Sequence, residues 1–168
     1  MKIYLDMDGV LTDLEHRYAE KFGQFPTDKD LKRKHFWNNW KKFVDDNEFE
    51  TLPKHPGAEK LLSVVEMFRG TGIPVEILSS SGGGYSHDLV VEQKKKWLAA
   101  NSISYTANIV PGGARKAEYA KPWHILIDDT EHVVENYRAH GGTAILHKDV
   151  DATIRMLHLL HLEWMGAQ

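Results

Sequence analysis

The sequence contains no cysteine, no long apolar run and no strong excess of charge of either sign. Without cysteine, the chain has no disulfide, no thiolate metal ligand and no cysteine nucleophile. No apolar stretch approaches the roughly 20 residues that a membrane-spanning helix needs. The first residues also lack the basic region and the apolar region of a signal peptide. We therefore expect no membrane association and a cytoplasmic location.

The formal net charge of -3 gives no electrostatic reason for a stable complex with nucleic acid. At 168 residues, the chain is long enough for one domain with a substantial core and a small insertion. Its 42% hydrophobic and 27% charged residues are typical of globular proteins, so disorder is not expected. The 10 histidines are scattered without the spacing of a metal-binding motif.

Short apolar runs alternate with amphipathic segments along the whole chain, which predicts a parallel sheet with helices on both faces. This is an α/β fold of the three-layer, Rossmann-like kind. The predicted strands are 3–5, 74–78, 104–110, 124–127 and 143–147. The predicted helices are 14–23, 27–48, 57–70, 86–100, 115–120, 131–140 and 150–164. The apolar residues of the last helix fit packing on the sheet or on a second subunit, so the oligomeric state stays open.

Acidic residues follow two of the predicted strands. Asp6 and Asp8 come directly after the first strand, and Asp128 and Asp129 end the strand that begins at residue 124. Because the carboxyl ends of parallel strands meet at one edge of the sheet, these four side chains are expected to converge. Carboxylates that face one another repel unless a cation lies between them, and Mg²⁺ prefers such oxygen ligands. The sequence therefore predicts a magnesium site at this edge.

A third strand ends in hydroxyl groups, those of Ser79 and Ser80. Hydroxyl groups and the nearby start of helix 86–100 suit the oxygen atoms of a phosphate. A lysine would balance the charge of the carboxylates and the phosphate. The combination of acids, hydroxyls and a cation favours phosphoryl chemistry.

The run from Asp6 to Thr12, DMDGVLT, matches the signature DxDGx(L/V)(T/A) of the haloacid dehalogenase-like phosphohydrolases. Ser79, a lysine and the pair Asp128-Asp129 then follow in the order of that superfamily. Within it, residues 2–147 most resemble the 5'(3')-deoxyribonucleotidase group and its small bacterial and phage relatives. The residues that carry this finer resemblance are Phe36-Trp37, Leu52-Pro53, Pro56-Gly57-Ala58, Ser79-Ser80 and Gly141-Gly142.

The resemblance implies a role for each acid. Asp6 would be the nucleophile that forms an aspartyl-phosphate, and Asp8 would be the general acid and then the general base. Mg²⁺ would be held by the Asp6 carboxylate, the backbone carbonyl of Asp8 and one of Asp128 and Asp129. The other acid of that pair would support the metal site indirectly.

The resemblance also implies that Ser79 and Ser80 hydrogen-bond the phosphoryl oxygens. Two lysines compete for the position that faces the phosphate. Lys116 lies where the nucleotidase group places this lysine, shortly before the strand of Asp128, and is preferred. Lys94 is the alternative, although Lys94–Lys96 also fits a solvated helix face.

Residues 14–56 are expected to form a small helical cap over a core made of residues 1–13 and 57–168. Phe36 and Trp37 are the candidates for stacking on a nucleobase, and packing within the cap is the alternative. The expected function is Mg²⁺-dependent hydrolysis of nucleoside monophosphates, deoxynucleotides in particular.

Two departures from the nucleotidase pattern leave the substrate open. Thr130 stands where the relatives commonly have arginine, and Ser81 with three glycines replaces their proline. The alternatives are a phosphatase for another small metabolite or for nucleic-acid 3'-phosphate ends, a phosphotransferase, or a non-catalytic binding module on the same fold.

Overall fold

In the computed structural model, which describes residues 1–168 apart from the side chain of Tyr85, five strands form one parallel sheet. The strands in chain order are β1 (Lys2–Leu5), β2 (Val75–Ser80), β3 (Ala107–Val110), β4 (His124–Asp128) and β5 (Thr143–Leu146). Their spatial order is β3-β2-β1-β4-β5, so β1 is central and pairs with β2 and β4. The predicted parallel sheet is confirmed.

Six α-helices connect or follow the strands. They are α1 (Leu14–Phe22), α2 (Lys29–Asp45), α3 (Ala58–Gly70), α4 (His87–Ala100), α5 (Glu131–Ala139) and α6 (Val150–Gly166). Shorter 3₁₀ helices span Glu48–Glu50, Gly84–Ser86 and Gly113–Tyr119. The segment predicted as helix 115–120 is therefore a 3₁₀ helix.

The predicted helix 27–48 is shorter at both ends in the structure. Asp28 is its N-cap, and the Asp28 carboxylate accepts hydrogen bonds from the backbone N–H groups of Asp30 and Leu31. The helix ends at Asp45, because the backbone of Asn47 is left-handed with φ of 58° and cannot continue it.

Alternate residues of each strand point to opposite faces, and both faces are covered. Ile3 and Leu5 of β1 belong to the hydrophobic cluster that includes α3, α4 and α6. Tyr4 belongs to a second cluster with α5 on the other face. Each large apolar side chain that is buried in this way contributes about 1.5–3 kcal/mol relative to exposure. The predicted three-layer α/β fold is confirmed.

Residues 14–56 hold α1, α2 and the 3₁₀ helix Glu48–Glu50. Two aromatic side chains of this segment, Tyr18 and Phe43, are fully buried and belong to the same hydrophobic cluster as the sheet residues. The segment is also tied to α4, since Gln93 Nε2 donates to the Val44 carbonyl at 2.8 Å. The division into core and cap stays a prediction.

The last helix packs through only part of its apolar surface. Leu157 is fully buried, whereas Leu159 and Leu162 are 54% and 60% exposed. No helix within the described residues is both long and apolar enough to cross a bilayer.

Candidate active site

The register of the sheet brings two acidic segments together. Leu5 of β1 lies opposite Ile127 of β4, and the Asp6 N–H donates to the Ile127 carbonyl at 3.0 Å. Carboxylate oxygens of Asp6, Asp128 and Asp129 all lie within 4.8 Å of one another. Acids that are more than a hundred positions apart in sequence therefore form one cluster at the carboxyl edge of the sheet.

The turn after β1 requires a glycine. Gly9 has φ of +75°, and a Cβ at this position would lie 2.2 Å from Oδ2 of Asp129. Only a residue without a side chain lets Asp129 approach the turn in this way. The carboxylate of Asp8 points into the site, where its Oδ1 accepts a hydrogen bond from the Thr12 hydroxyl at 2.9 Å.

Lys116 lies among the clustered acids. Its Nζ is 2.8 Å from Asp6 Oδ2 and 2.6 Å from Asp128 Oδ2, and the side chain is buried. Burial alone would lower the pKa of Lys116, but the attraction of Asp6 and Asp128 outweighs it and raises this pKa. The lysine preferred from the sequence is thus a buried cation in contact with the candidate nucleophile.

The pKa values of the acids diverge. Burial would raise the pKa of Asp6, but the ammonium groups of Lys116 and Lys94 hold it below its usual range. Burial and repulsion by Asp6 raise the pKa of Asp128 to about 6. The same two causes, with Asp128 as a further repelling charge, raise the pKa of Asp129 to about 7. Asp6 therefore stays ionised, as a nucleophile requires.

The donor set fits a divalent cation with oxygen ligands. Asp6, Asp128 and Asp129 offer carboxylate oxygens from three side chains at one point. Burial is the main cause that raises the pKa values of Asp128 and Asp129, and repulsion by neighbouring carboxylates adds to it. A bound cation would relieve the repulsion among these carboxylates. Such a cluster of buried acids is therefore expected at a metal site.

Lys94 also reaches the site. Its Nζ donates to Asp8 Oδ2 at 2.6 Å, to the Ser79 hydroxyl at 2.9 Å and to the Ser80 carbonyl at 2.8 Å. The interpretation of Lys94 as part of a solvated helix face is wrong, because the side chain is fully buried. In the sequence, Lys94 lies four residues after Val90, and this spacing places both side chains on the same, buried face of α4.

The two serines at the end of β2 have different surroundings. Ser79 is fully buried beneath the acids, and its hydroxyl accepts the hydrogen bond from Lys94. Ser80 lines the cavity that opens next to Asp8. The Ser80 hydroxyl accepts a hydrogen bond from the Gly82 N–H at 3.1 Å.

That cavity has a volume of about 320 Å³ and connects the acids with the aromatic residues of the segment 14–56. Trp37 is 45% exposed, and its ring contacts the rings of Phe36 and Trp40 at centroid distances of 5.4 and 5.2 Å. The residues that line the cavity include Asp8, Leu14, Phe36, Trp37, Trp40, Phe49, Ser80, Gly82, Lys116, Thr130 and His132. The sequence did not indicate Phe49 or His132, which reach the cavity only through the fold.

The glycine-rich loop after β2 is a wall of the same cavity. Gly82 has φ of +78°, and a Cβ there would lie 2.8 Å from Cζ2 of Trp40. Trp40 Nε1 also donates to the Ser86 hydroxyl at 2.9 Å. The loop is therefore packed against the indole of Trp40, and a side chain at Gly82 would displace it.

Thr130, the departure from the nucleotidase pattern, supports the acids. Its backbone N–H donates to Asp128 Oδ1 at 2.9 Å and its hydroxyl donates to Asp129 Oδ1 at 3.1 Å. Thr130 therefore orients both carboxylates of the acid pair.

Comparison of the chain with solved structures finds hydrolases and a dehalogenase of similar fold. A hydrolase from Streptococcus pneumoniae TIGR4 is 16% identical, with a TM-score of 0.53 over 94% of this chain and 97% of the other. A Had-superfamily hydrolase from Ehrlichia chaffeensis is 12% identical, with a TM-score of 0.54 over 95% and 96%. The L-2-haloacid dehalogenase from Xanthobacter autotrophicus is 12% identical, with a TM-score of 0.52 over 85% and 75%.

The chain has the fold of the haloacid dehalogenase-like hydrolases. Neither a protein-family model nor a curated protein matches the sequence. At identities of 12–16%, these structures establish the fold alone.

Proposed function

We propose that the protein is a Mg²⁺-dependent phosphomonoesterase of the haloacid dehalogenase-like superfamily that hydrolyses nucleoside monophosphates, deoxynucleotides in particular. The observation that carries this proposal is the arrangement at the carboxyl ends of β1 and β4. An ionised Asp6 contacts a buried lysine and lies beside two further acids, and Asp8 lines the adjoining cavity. One edge of the sheet therefore holds a candidate nucleophile, a candidate proton donor, a buried lysine and a cavity for a substrate.

Asp6 performs the first step. A carboxylate oxygen of Asp6 forms a bond to the phosphorus atom while the bond from phosphorus to the ester oxygen breaks. Asp8 enters this step as the protonated carboxylic acid and transfers its proton to the departing oxygen, which leaves as an alcohol. Lys116 holds the Asp6 carboxylate in place through its contact at 2.8 Å.

The second step releases phosphate. Asp8, now ionised, accepts a proton from a water molecule whose oxygen attacks the phosphorus of the aspartyl-phosphate. The bond between phosphorus and Asp6 breaks, and both aspartates return to their starting states. Asp8 can serve both steps because it lies two residues after Asp6 and lines the cavity, which both the departing alcohol and the incoming water would occupy.

The metal would be held by Asp6, the backbone carbonyl of Asp8 and one of Asp128 and Asp129. When bound, Mg²⁺ offsets the repulsion between carboxylate and phosphate, about 4 kcal/mol for two unit charges at 4 Å and an effective dielectric constant of 20.

The cavity supports a substrate with a planar aromatic part. Its volume of about 320 Å³ is at the lower end of the range for small-molecule sites. Phe36 and Trp37 of the segment 14–56 line it together with Lys116 and Asp8. A nucleobase that stacks on Trp37 would leave the phosphate group directed toward the acids.

Release of inorganic phosphate from an aryl phosphate tests the proposed reaction. We expect release with Mg²⁺ present, none after chelation by EDTA, and none from Asp6→Asn. Asp13→Asn is the matched control, because asparagine can replace aspartate as the N-cap of α1. Full activity of Asp6→Asn would show that Asp6 is not the nucleophile.

A substrate panel tests the nucleotide assignment. It contains deoxynucleoside and ribonucleoside 5'- and 3'-monophosphates, sugar phosphates and an oligonucleotide with a 3'-phosphate. We expect the highest kcat/KM for deoxynucleoside monophosphates. Turnover of sugar phosphates alone, or of the oligonucleotide alone, would overturn the nucleotidase assignment. Halide release from a 2-haloacid without any phosphate release would overturn the phosphatase assignment as well.

A further inference from the structure

Lys94 is a buried cation, and each of its N–H groups has a hydrogen-bond acceptor within the site. Its side chain is fully buried in α4, and its three N–H groups match three acceptors, on Asp8, Ser79 and Ser80. The ring of Phe49 lies 5.2 Å from Nζ on a further side. A buried ammonium group is costly without such partners, so removing one of them would disturb the others.

The contacts of the two buried lysines do not overlap. Lys116 contacts Asp6 and Asp128, the side of the nucleophile and the acid cluster. Lys94 contacts Asp8 and the end of β2. The site therefore contains one ammonium group in contact with Asp6 and another in contact with Asp8.

We propose that Lys94 is a positioning residue that fixes the carboxylate of Asp8 for proton transfer to the leaving oxygen. The proposal rests on the proposed function, since it assigns the lysine to one step of that reaction. Lys94 ties Asp8 Oδ2 to the Ser79 hydroxyl through a single nitrogen atom, at 2.6 and 2.9 Å. Asp8 Oδ1 is held by Thr12 on the opposite side. One carboxylate oxygen of Asp8 is thus connected to the end of β2, and the other is bonded within the turn after β1.

Such restraint matters because proton transfer requires a donor held within a fraction of an ångström of the leaving oxygen. Without Lys94, the Asp8 side chain would keep only the hydrogen bond to Thr12 and could rotate toward the cavity. The proton transfer would then slow more than the attack by Asp6, because Asp6 contacts Lys116 directly and Lys94 acts on it only through its charge.

A double-mutant cycle with Lys94→Met and Asp8→Asn tests whether the lysine acts through Asp8. We expect Lys94→Met to lower kcat/KM for a nucleoside monophosphate about 100-fold, since general acid catalysis contributes effects of this order. In the Asp8→Asn background, the same change should cost less than about 3-fold, because residues that act as a unit are not additive. Lys95→Met, on the exposed neighbour in α4, is the control and should leave kcat/KM unchanged.

The leaving group provides a second, independent comparison. A dinitrophenyl phosphate releases a stable phenolate that needs no proton. Its kcat/KM should therefore fall less than about 5-fold in Lys94→Met, in contrast to the nucleoside monophosphate. Equal losses for both substrates, or full additivity in the cycle, would show that Lys94 does not act through Asp8.

Crystal structures of the wild-type protein and of Lys94→Met, both grown with Mg²⁺, provide a readout without turnover. We expect Lys94 Nζ within hydrogen-bond distance of Asp8 in the wild type and a displaced Asp8 carboxylate in the variant. An Asp8 side chain that keeps its position without the lysine would overturn the proposal. If Lys94→Met does not fold, Lys94→Leu, which also lacks a hydrogen-bond donor, replaces it in every experiment with the same expected and contrary outcomes.

These readouts separate the two proposals. A wild-type protein that releases phosphate from no ester contradicts the proposed function, and the crystal structures still decide whether Lys94 fixes Asp8. A protein that releases phosphate but shows additive losses supports the proposed function and contradicts the role of Lys94.

Discussion

The sheet edge and the segment 14–56 place their charges in opposite ways. At the edge, Lys94 and Lys116 are almost fully buried, and each contacts at least one carboxylate. On α2, the ion pair between Lys42 and Asp46 joins side chains that are 65% and 32% exposed. Buried pairs of this kind are sensitive to the loss of either partner, whereas exposed pairs contribute little.

The aromatic residues show the reverse distribution. Trp37 of α2 is half-exposed at the cavity, while the segment that follows β1 contributes the carboxylates of Asp6 and Asp8 to the site. If the proposed function is correct, the edge of the sheet performs the reaction and the segment 14–56 selects the substrate. Changes at the edge should therefore affect all substrates alike, and changes in α2 should separate them.

The largest effect in this comparison is expected for Lys116→Met. The variant loses the cation that contacts both Asp6 and Asp128, so kcat/KM should fall about 1000-fold, as for the loss of a preorganised charge in an active site. The loss should be equal for nucleoside monophosphates and for a simple aryl phosphate. Steady-state kinetics with both substrates measures it, and Lys121→Met is the exposed control. A loss confined to nucleotides would assign Lys116 to substrate selection instead.

The crowded acids should make the metal-free protein less stable as the pH rises. The pKa of Asp129 is raised to about 7 in the folded state, so this state binds more protons than the unfolded chain between about pH 4 and pH 7. The contribution to stability is present below about pH 4 and is lost as the pH rises through 7. Thermal unfolding in EDTA across this range should show the decline, and added Mg²⁺ should reduce it.

The variant Asp129→Asn removes the repelling charge and keeps the shape. Its metal-free form should melt about 2–8 °C higher than the wild type at pH 8, which corresponds to about 1–3 kcal/mol. The stabilisation by Mg²⁺ should be lost in the same variant. A lower melting temperature at pH 8 would show that Asp129 is not under electrostatic strain.

A smaller and selective effect is expected for Trp37→Ala. Stacking of a base on an aromatic side chain is worth about 1–3 kcal/mol, so KM for a nucleoside monophosphate should rise about 10-fold or more. Glycerol phosphate, which has no ring to stack, should show no change. Leu31→Ala, another exposed apolar residue of α2, is the control. Equal changes for both substrates would mean that Trp37 acts by shaping the cavity rather than by stacking.

The smallest effect is expected for Lys42→Ala on the outer face of α2. The side chain is 65% exposed and its partner Asp46 also contacts Lys21, so the melting temperature should stay within about 2 °C of the wild type. Kinetic constants should be unchanged for every substrate. A clear kinetic effect would show that α2 moves relative to the sheet during turnover.

The sequence predicts most of the fold because strand ends, glycines and acids are local signals. The parallel sheet and the meeting of Asp6 with Asp128 follow from the alternation of strands and helices together with the position of each acid in its strand. Lys94 shows the limit of such reasoning. Its charge favoured solvent, and only the partners Asp8 and Ser79, brought by other strands, make its burial tolerable.

The cavity shows a second limit. Phe49 and His132 line it from segments that no sequence pattern connects, because a cavity depends on how elements pack rather than on the pattern within any one of them. The close fit of Gly82 against Trp40 has the same origin. Local signals identified the acid cluster at the edge of the sheet, whereas the shape of the adjoining cavity required the packed structure.

Mass spectrometry of the acid-quenched protein shows whether the phosphoryl group is transferred to Asp6. The Asp8→Asn variant is mixed with Mg²⁺ and a dinitrophenyl phosphate, since it lacks the base that would hydrolyse the intermediate. We predict the added mass of one phosphoryl group on the peptide that contains Asp6, and none when Asp6→Asn is added to the variant. Release of dinitrophenol without any phosphorylated peptide, or with the phosphoryl group on another residue, would contradict the account.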